Sequence, residues 1–351
     1  MSMKSSRRTA VCLRLRALNE RYVSPVDGLL WTIWSFLATP HSILSPSYTA
    51  RREGFIYGLD SFGRSSVLFS VKPTHGGDVR LISGYDVNAG GMTGVFDELE
   101  VDGEPMSVCT DGEGLYYSDF GLQRNWLVRM SLSVSDCVDV LPAPPGEHPS
   151  CNLSDTHCVT NGRLFMVGNG DCKLFRIRLP AASDHLELSS CIFRHPVDGL
   201  AWEPVADLPL EVIAIDVVAR GDGKFKFVCV GCDDGSERYF IHFVDCDGTE
   251  KIFPCKDARM CKFVPSCDEL VCVATNLSSS TISWSIILVD VWCGSVLSTL
   301  DHTSHYGCDP FLGCHCYLTI TESDRVVLAQ QHIRGRECFF EVAVTQIDTR
   351  S

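Results

Sequence analysis

Residues 283–302 read SWSIILVDVWCGSVLSTLDH. Ile286, Ile287, Val289 and Val291 make a β-branched run suited to a pleated surface, Cys293-Gly294-Ser295 supplies a reversal, and Val296, Leu297, Thr299 and Leu300 carry a second apolar run. Two strands joined by a tight turn are predicted, with nothing catalytic in either. The same order of strand, Gly- or Asp-containing turn and strand returns at Gly54 (GFIYGLDSFGRSSVLFSV), Gly114 (GLYYSDFGLQRNWLVRMSL), Arg163 (RLFMVGNGDCKLFRIRL), Lys224 (KFKFVCVGCDDGSERYFIHFV), Glu269 (ELVCVATNLSSSTISWSIILV) and Arg325 (RVVLAQQHIRGRECFFEVAV). These starts lie about fifty residues apart, a period typical of radial β repeats, because one four-stranded sheet cannot bury both faces without neighbours.

Flanking strands complete each unit. A preceding, innermost strand is readable at 106–110, 156–160, 212–218, 258–264 and 316–321, and a following, outermost strand at 78–83, 137–141, 185–191, 249–253 and 296–300. Long stretches with helical periodicity are missing. Turn formers at 88–94 (NAGGMTG), 142–149 (PAPPGEHP) and 195–209 read as face loops. The expectation is an all-β fold: one β-propeller of six or seven four-stranded blades over 25–351, with two stacked sandwiches as the alternative. The sixth unit reaches the chain end without an outermost strand, which would leave an open edge. The segment 21–37 has the aromatic and β-branched content to fill that place, so residues 21–50 are expected to share a sheet with Val344 or its neighbours.

Within 286–302, the order hydrophobic-x-hydrophobic-x-Asp-x-x-x-Gly-x-x-Leu-x-Thr-Leu resembles the end of a WD repeat and the start of the strand after it, on Asp290, Gly294, Leu297, Thr299 and Leu300. Val289 stands where the signature Trp would be, and Asp301-His302 replaces the usual Gly-His. Asp245-Cys246-Asp247-Gly248 is a weaker echo with one residue fewer between Asp and Gly. The match covers a small part of the chain and points to a WD40-like or general β-propeller. What the resemblance implies is a rigid scaffold that binds partners on its faces, usually without chemistry.

The 351 residues carry a net charge of −14, although residues 1–25 hold Lys4, Arg7, Arg8, Arg14, Arg16 and Arg21 against Glu20 alone. The body is therefore more acidic than the total suggests. It repels phosphate backbones at long range, which makes nucleic acid an improbable main ligand and favours protein partners with basic or neutral surfaces. The Arg- and Ser-rich segment 1–24 reads as a flexible basic arm or as an organellar transit segment. No secretory signal follows it, and the apolar stretch 29–38 (LLWTIWSFLA) is far shorter than the about 20 residues that span a bilayer. A soluble protein of the cytoplasm is expected, or of the mitochondrion if 1–24 directs import. Nineteen cysteines, several within apolar runs (Cys109, Cys229, Cys272, Cys338), fit a reducing compartment in which buried thiols act as small hydrophobes, with disulfides or metal as alternatives.

The densest chemical cluster is HTSHYGCDPFLGCHC at 302–316, whose His302, His305, Cys308, Cys314 and Cys316 are the candidate ligands for a zinc ion. Their spacing matches no standard finger, and if 313–317 is a strand then His315 points away from Cys314 and Cys316. Chance proximity in a cysteine-rich chain competes with the metal reading. Cys229-Val230-Gly231-Cys232 is a lone CxxC without a thioredoxin-like surround. Asp233-Asp234-Gly235 and Asp245-Cys246-Asp247-Gly248 look like hairpin turns more than calcium loops, since the terminal Glu of an EF-hand loop is lacking. Arg220-Gly221-Asp222 and the sequons at Asn152 and Asn276 read as chance matches. Nucleophile-elbow, phosphate-loop, dinucleotide and H-E-x-x-H signatures do not occur. No catalytic or cofactor-binding residue is therefore assigned. The leading functional reading is a non-catalytic protein–protein interaction scaffold. The alternatives are a propeller enzyme or metal-binding protein with a site in the central channel, and a secreted or surface binding module.

Overall fold

The computed structural model describes residues 41–349 apart from stretches that connect its elements, the longest being 143–156, 180–199 and 304–315. All described elements are strands. In chain order they are β1 (His41–Ile43), β2 (Tyr48–Glu53), β3 (Phe55–Phe62), β4 (Ser65–Pro73), β5 (Val79–Asn88), β6 (Gly91–Asp102), β7 (Pro105–Thr110), β8 (Gly114–Asp119), β9 (Trp126–Ser131) and β10 (Val138–Leu141). There follow β11 (His157–Thr160), β12 (Arg163–Val167), β13 (Lys173–Arg178), β14 (Glu203–Asp207), β15 (Glu211–Ala219), β16 (Phe225–Cys232), β17 (Tyr239–Val244) and β18 (Glu250–Pro254). The last are β19 (Ala258–Val264), β20 (Cys267–Asn276), β21 (Ser283–Asp290), β22 (Val296–Thr303), β23 (Cys316–Ile320), β24 (Arg325–Arg334) and β25 (Glu337–Thr349).

Five sheets of four antiparallel strands, β3–β6, β7–β10, β11–β14, β15–β18 and β19–β22, are joined by a sheet in which β23, β24 and β25 are completed by β1 and β2. The first strands β3, β7, β11, β15, β19 and β23 touch in that order, and β23 touches β3, so the sheets stand in a propeller-like arrangement about a common axis.

Burial follows from that arrangement. Second strands lie between two neighbouring sheets and are covered on both faces, which is why β16 is buried from Lys226 to Gly231 and β24 from Val326 to His332 without a break. Outermost strands meet water, and β18 alternates exposed and half-buried positions. Gly58 lets β3 pass close to β7, because a Cβ there would stand 1.9 Å from the carbonyl oxygen of Val108.

The units beginning at Gly114, Lys224, Glu269 and Arg325 fold as the sequence predicts, but two need correction. The run from Gly54 forms the first and second strands of its sheet, not the central pair. The residues read as its outermost strand belong to β5, the third, and NAGGMTG is the β5–β6 hairpin, with Asn88 paired to Gly91. Hydrophobicity cannot separate an inner from a middle strand when both are buried. In the unit beginning at Arg163, residues read as a face loop supply the outermost strand β14, while 185–191 lies outside the described residues. Pro204 misled the reading, yet an outermost strand has one unpaired edge and tolerates proline there.

Closure comes from the N-terminal side, as expected, through His41–Ile43 and Tyr48–Glu53, whereas 21–37 lies outside the described residues. β2 pairs with β25 from Tyr48 opposite Val344 to Glu53 opposite Phe339, and β1 pairs with it from His41 opposite Thr349 to Ile43 opposite Ile347. The seam is sewn to its neighbours on both sides. The Ile43 N–H donates to Ser298 Oγ on β22 at 3.1 Å, the Ile56 N–H to Gln331 Oε1 at 2.6 Å, and Ser61 Oγ to the Ile320 carbonyl at 2.7 Å. Deleting residues 1–53 is expected to lower the melting temperature by more than about 10 °C or to abolish folding, because β25 loses the strands on its outer edge, whereas deleting 1–20 is expected to change it by less than about 2 °C. Thermal denaturation of the two truncations measures this, and equal midpoints contradict it.

Candidate functional site

Each first strand presents alternate side chains to the axis or to its neighbours, and a carboxylate there must find donors. Asp60 on β3 accepts the Ser61 N–H at 2.8 Å and, across to the next sheet, the Thr110 N–H of β7 at 3.1 Å. Asp216 on β15 repeats the device, taking the Phe263 N–H of β19 at 2.8 Å on Oδ2 and Lys262 Nζ at 3.1 Å on Oδ1. Asp324, in the turn between β23 and β24, accepts the Ser266 N–H at 3.1 Å from the corresponding turn of the preceding sheet. Carboxylates thus staple first strand to first strand, or turn to turn.

Asp60, Asp216 and Lys262 also act on one another across the axis. Burial pushes the Asp60 carboxyl up, while the Lys262 ammonium and the two backbone donors oppose the rise and Asp216 adds to it. Asp216 and Lys262 are largely buried, with 13% and 18% of their side-chain surface accessible. Replacing Asp216 with Ala leaves an ammonium and a backbone N–H without their acceptor, and is expected to cost about 3 kcal/mol in chemical denaturation. Asp216→Asn, which keeps one acceptor for Phe263, is expected to cost roughly half as much. Equal losses would mean that the negative charge facing Lys262, and not the acceptor offered to the Phe263 N–H, carries the stabilisation.

A second arrangement has the order of a thiol catalyst. Cys229 on β16 stands opposite His242 on β17, with Sγ 3.9 Å from Nδ1, and His242 Nε2 lies 3.4 Å from Glu250 Oε2 on β18 without the alignment of a hydrogen bond. The electrostatics run against catalysis. Cys229 is fully buried and its thiol is pushed up to about 12, so the thiolate required for attack is not available near neutrality. Burial lowers the His242 imidazole from its ordinary value, and the largely exposed Glu250 carboxylate opposes this without cancelling it. An imidazole that protonates less readily in the folded chain leaves the unfolded chain holding more protons between the lowered value and about 6.5. Stability is then full above about 6.5 and falls as pH drops through that window. The melting temperature is expected to fall between pH 7.5 and 5.5, and to fall less in His242→Gln. An unchanged pH slope in that variant would assign the acid sensitivity elsewhere.

A third buried charge is also committed. Lys226 Nζ reaches Asp268 Oδ2 at 2.6 Å and the Asp268 carbonyl at 2.5 Å, and lies 5.3 Å from the centre of the Phe263 ring. The neighbouring Glu269 carboxyl is pushed up by burial, against a hydrogen bond from Trp292. Lys251 donates to the Trp292 carbonyl at 2.6 Å and lies over its ring, so the β21–β22 turn is fastened to β18. Within that turn Asp290 accepts the N–H groups of Trp292 at 2.7 Å and Cys293 at 3.3 Å. Gly294 takes φ +68°, with Phe253 filling the place of its missing side chain.

Of the residues singled out from sequence as zinc ligands, His305, Cys308 and Cys314 lie outside the described residues. His302 is the Cα partner of Trp284 on the outermost strand β22, and Cys316 is a buried residue opening β23 opposite Gln330. No group of three ligating side chains stands together among the described residues. Cys229 lies buried in the middle of β16 and Cys232 half-buried at its end, three residues on and so on the opposite face, and they do not converge. All twelve described cysteines are free, six of them buried, and burial pushes Cys255 and Cys267 up to about 11. Asp60, Asp216 and Lys262 were missed by motif reading. Their signal was a lone charge inside an apolar run, as in EVIAIDVVA.

No family model and no curated protein matches the chain. Among solved structures it is similar to a subtype N10 neuraminidase-like protein of A/little yellow-shouldered bat/Guatemala, with 10% identity over 86% of this chain and 95% of that one and a TM-score of 0.46. A putative 6-phosphogluconolactonase from Bacteroides uniformis shares 10% identity over 77% of this chain and 88% of that one, at a TM-score of 0.39. Glutaminyl cyclase from Myxococcus xanthus shares 12% identity over 88% of this chain and the whole of that one, at 0.35. At these identities and scores the likeness is one of chain path and bears on no activity. No described helix is long and apolar enough to cross a membrane.

Proposed function

We propose that the chain is a non-catalytic protein–protein interaction scaffold on a six-bladed, WD40-like propeller, working in the cytoplasm without a cofactor and binding partners with a basic surface. The supporting observation is the use made of the charged groups at the axis: Asp60 and Asp216 are bonded to the backbone of the next sheet and Lys262 to Asp216, so they hold the ring together. The outermost strands meanwhile offer apolar surface at Ile252, Val296 and Leu297, which are 47%, 54% and 40% exposed, on a chain of net charge −14. Asp290 and Gly294, which carry the WD-like resemblance, form a turn clasped to the neighbouring sheet. Such a turn suits a rigid frame more than a moving one.

One observation favours the alternative of a channel enzyme: a carboxyl pushed up by burial and felt across the axis by a lysine and a second carboxylate is a combination that acid–base chemistry uses. Chemical cross-linking of the full chain, then titration of a purified captured protein, separates the two. The scaffold reading expects a stoichiometric complex that weakens at least about tenfold between 50 and 300 mM salt, as attraction between an acidic frame and a basic partner requires. Turnover of a small-molecule panel that Lys262→Met abolishes would overturn it.

A further inference from the structure

Among the described residues, the outermost strands β6, β10, β14, β18 and β22 of the four-stranded sheets are each paired on one side only. An unpaired edge invites another strand, and four of these edges are blunted against one. β10 has only four residues, β6 changes register twice against β5, and β14 and β18 carry Pro204 and Pro254, which have no N–H to offer. β22 differs from them. Its eight residues, VLSTLDHT, contain no proline, and its single register shift falls at Leu297, so that 298–303 runs in unbroken register against β21 from Leu288 to Ser283. That stretch has the length of an ordinary strand, about 5 to 6 residues. β1 does not cover the edge: the Ile43 N–H donates to the Ser298 hydroxyl, a side chain that stands on a face of the sheet, at the joint with the closing sheet. Val296 and Leu297, at the bulge, are 54% and 40% exposed, and Thr299 and Asp301 are exposed on one face. Asp301 is the one carboxylate of the strand, with no Lys or Arg to balance it, and its Oδ1 accepts the Ser285 hydroxyl from β21.

We propose that the open edge of β22 takes up an extended, basic segment of a protein partner as a further strand of its sheet. Backbone N–H and C=O groups along 298–303 supply the pairing, and side chains set the choice of segment. A strand laid beside β22 places one residue next to Thr299 and another next to Asp301, on the same face. Cross-strand preference selects a β-branched residue for the first place and Lys or Arg for the second. Val296 and Leu297 lie just beyond, where an apolar side chain of the segment covers them. The charge of the protein selects in the same direction. At −14 it attracts a cationic strand and repels a second copy of itself, whose β22 would bring another Asp301 and no cation. This inference rests on the scaffold reading and assigns its basic partner an edge and a conformation.

The probe is a fluorescein-labelled peptide, acetyl-Lys-Val-Lys-Val-Lys-Val-Lys-amide, titrated against the full chain by fluorescence anisotropy. Two control peptides accompany it: one has proline in place of the middle valine, which keeps the charge but breaks the pairing, and one has glutamate in place of every lysine. The expected result is saturable binding of the lysine–valine peptide alone, weakened about tenfold by Thr299→Lys at the exposed edge. The same exchange at Thr249, exposed just before β18, changes the net charge equally and is expected to alter the affinity less than about twofold. Both variants replace an exposed side chain, and the proline peptide tests strand pairing without any variant. Equal weakening by the two variants, or equal binding of the proline peptide, would mean a general attraction to an acidic surface and would overturn the proposal. So would concentration-dependent dimers in sedimentation that Thr299→Lys abolishes, since a second copy would then hold the edge. If the peptide fails while the salt-sensitive complex persists unchanged in Thr299→Lys, the strand site is rejected and the scaffold reading stands.

Discussion

Everything in this molecule depends on β25 having a partner. A sheet made of β23, β24 and β25 alone would present the unpaired backbone of a long strand to water, and would lose the contacts that β1 makes to the neighbouring β22. Tyr48–Glu53 and His41–Ile43 provide that partner from more than 280 residues away in sequence, and the chain then turns directly into β3, the first strand of the next sheet. One pairing removes an edge and fixes the two ends of the described chain in the same sheet. Its cost is the entropy of closing a very long loop, which grows only slowly with length.

Once the sheets are fixed side by side, the polar chemistry of the interior has little freedom. Asp60, Asp216 and Asp324 occur at points where first strands or their turns pass a neighbour, and each accepts a backbone N–H from it. These bonds complement packing, because apolar contact between sheets is non-directional whereas a carboxylate fixes relative height. The buried Cys229–His242 pair shows the other side of the same environment. Groups that could be reactive at a surface are held there in their neutral forms.

The closing joint is the exception. It has a dense apolar cluster that includes Trp284, and beside Leu328 stands Gln330; among the described residues the indole N–H and the Gln330 amide have no hydrogen-bond partner.

The sequence by itself determined the class of local structure. Alternation in IILVD and VLSTL, turn residues such as Asp290 and Gly294, and the recurrence of the hairpin unit follow from short-range sterics and backbone hydrogen bonding, and were legible without any fold. Rank within a sheet was less legible. The run from Gly54 was assigned one strand too far out and Glu203–Asp207 was taken for a loop, because burial on both faces erases the pattern that distinguishes inner from middle strands, and proline is forbidden only where both edges are paired. Tertiary structure alone decided the rest. Which segment pairs with β25, which first strand receives the Asp216 staple, and which turn Asp324 fastens are contacts between residues tens to hundreds of positions apart. No local rule carries them, since the free energy that selects each arises only when a neighbouring sheet excludes water from both partners.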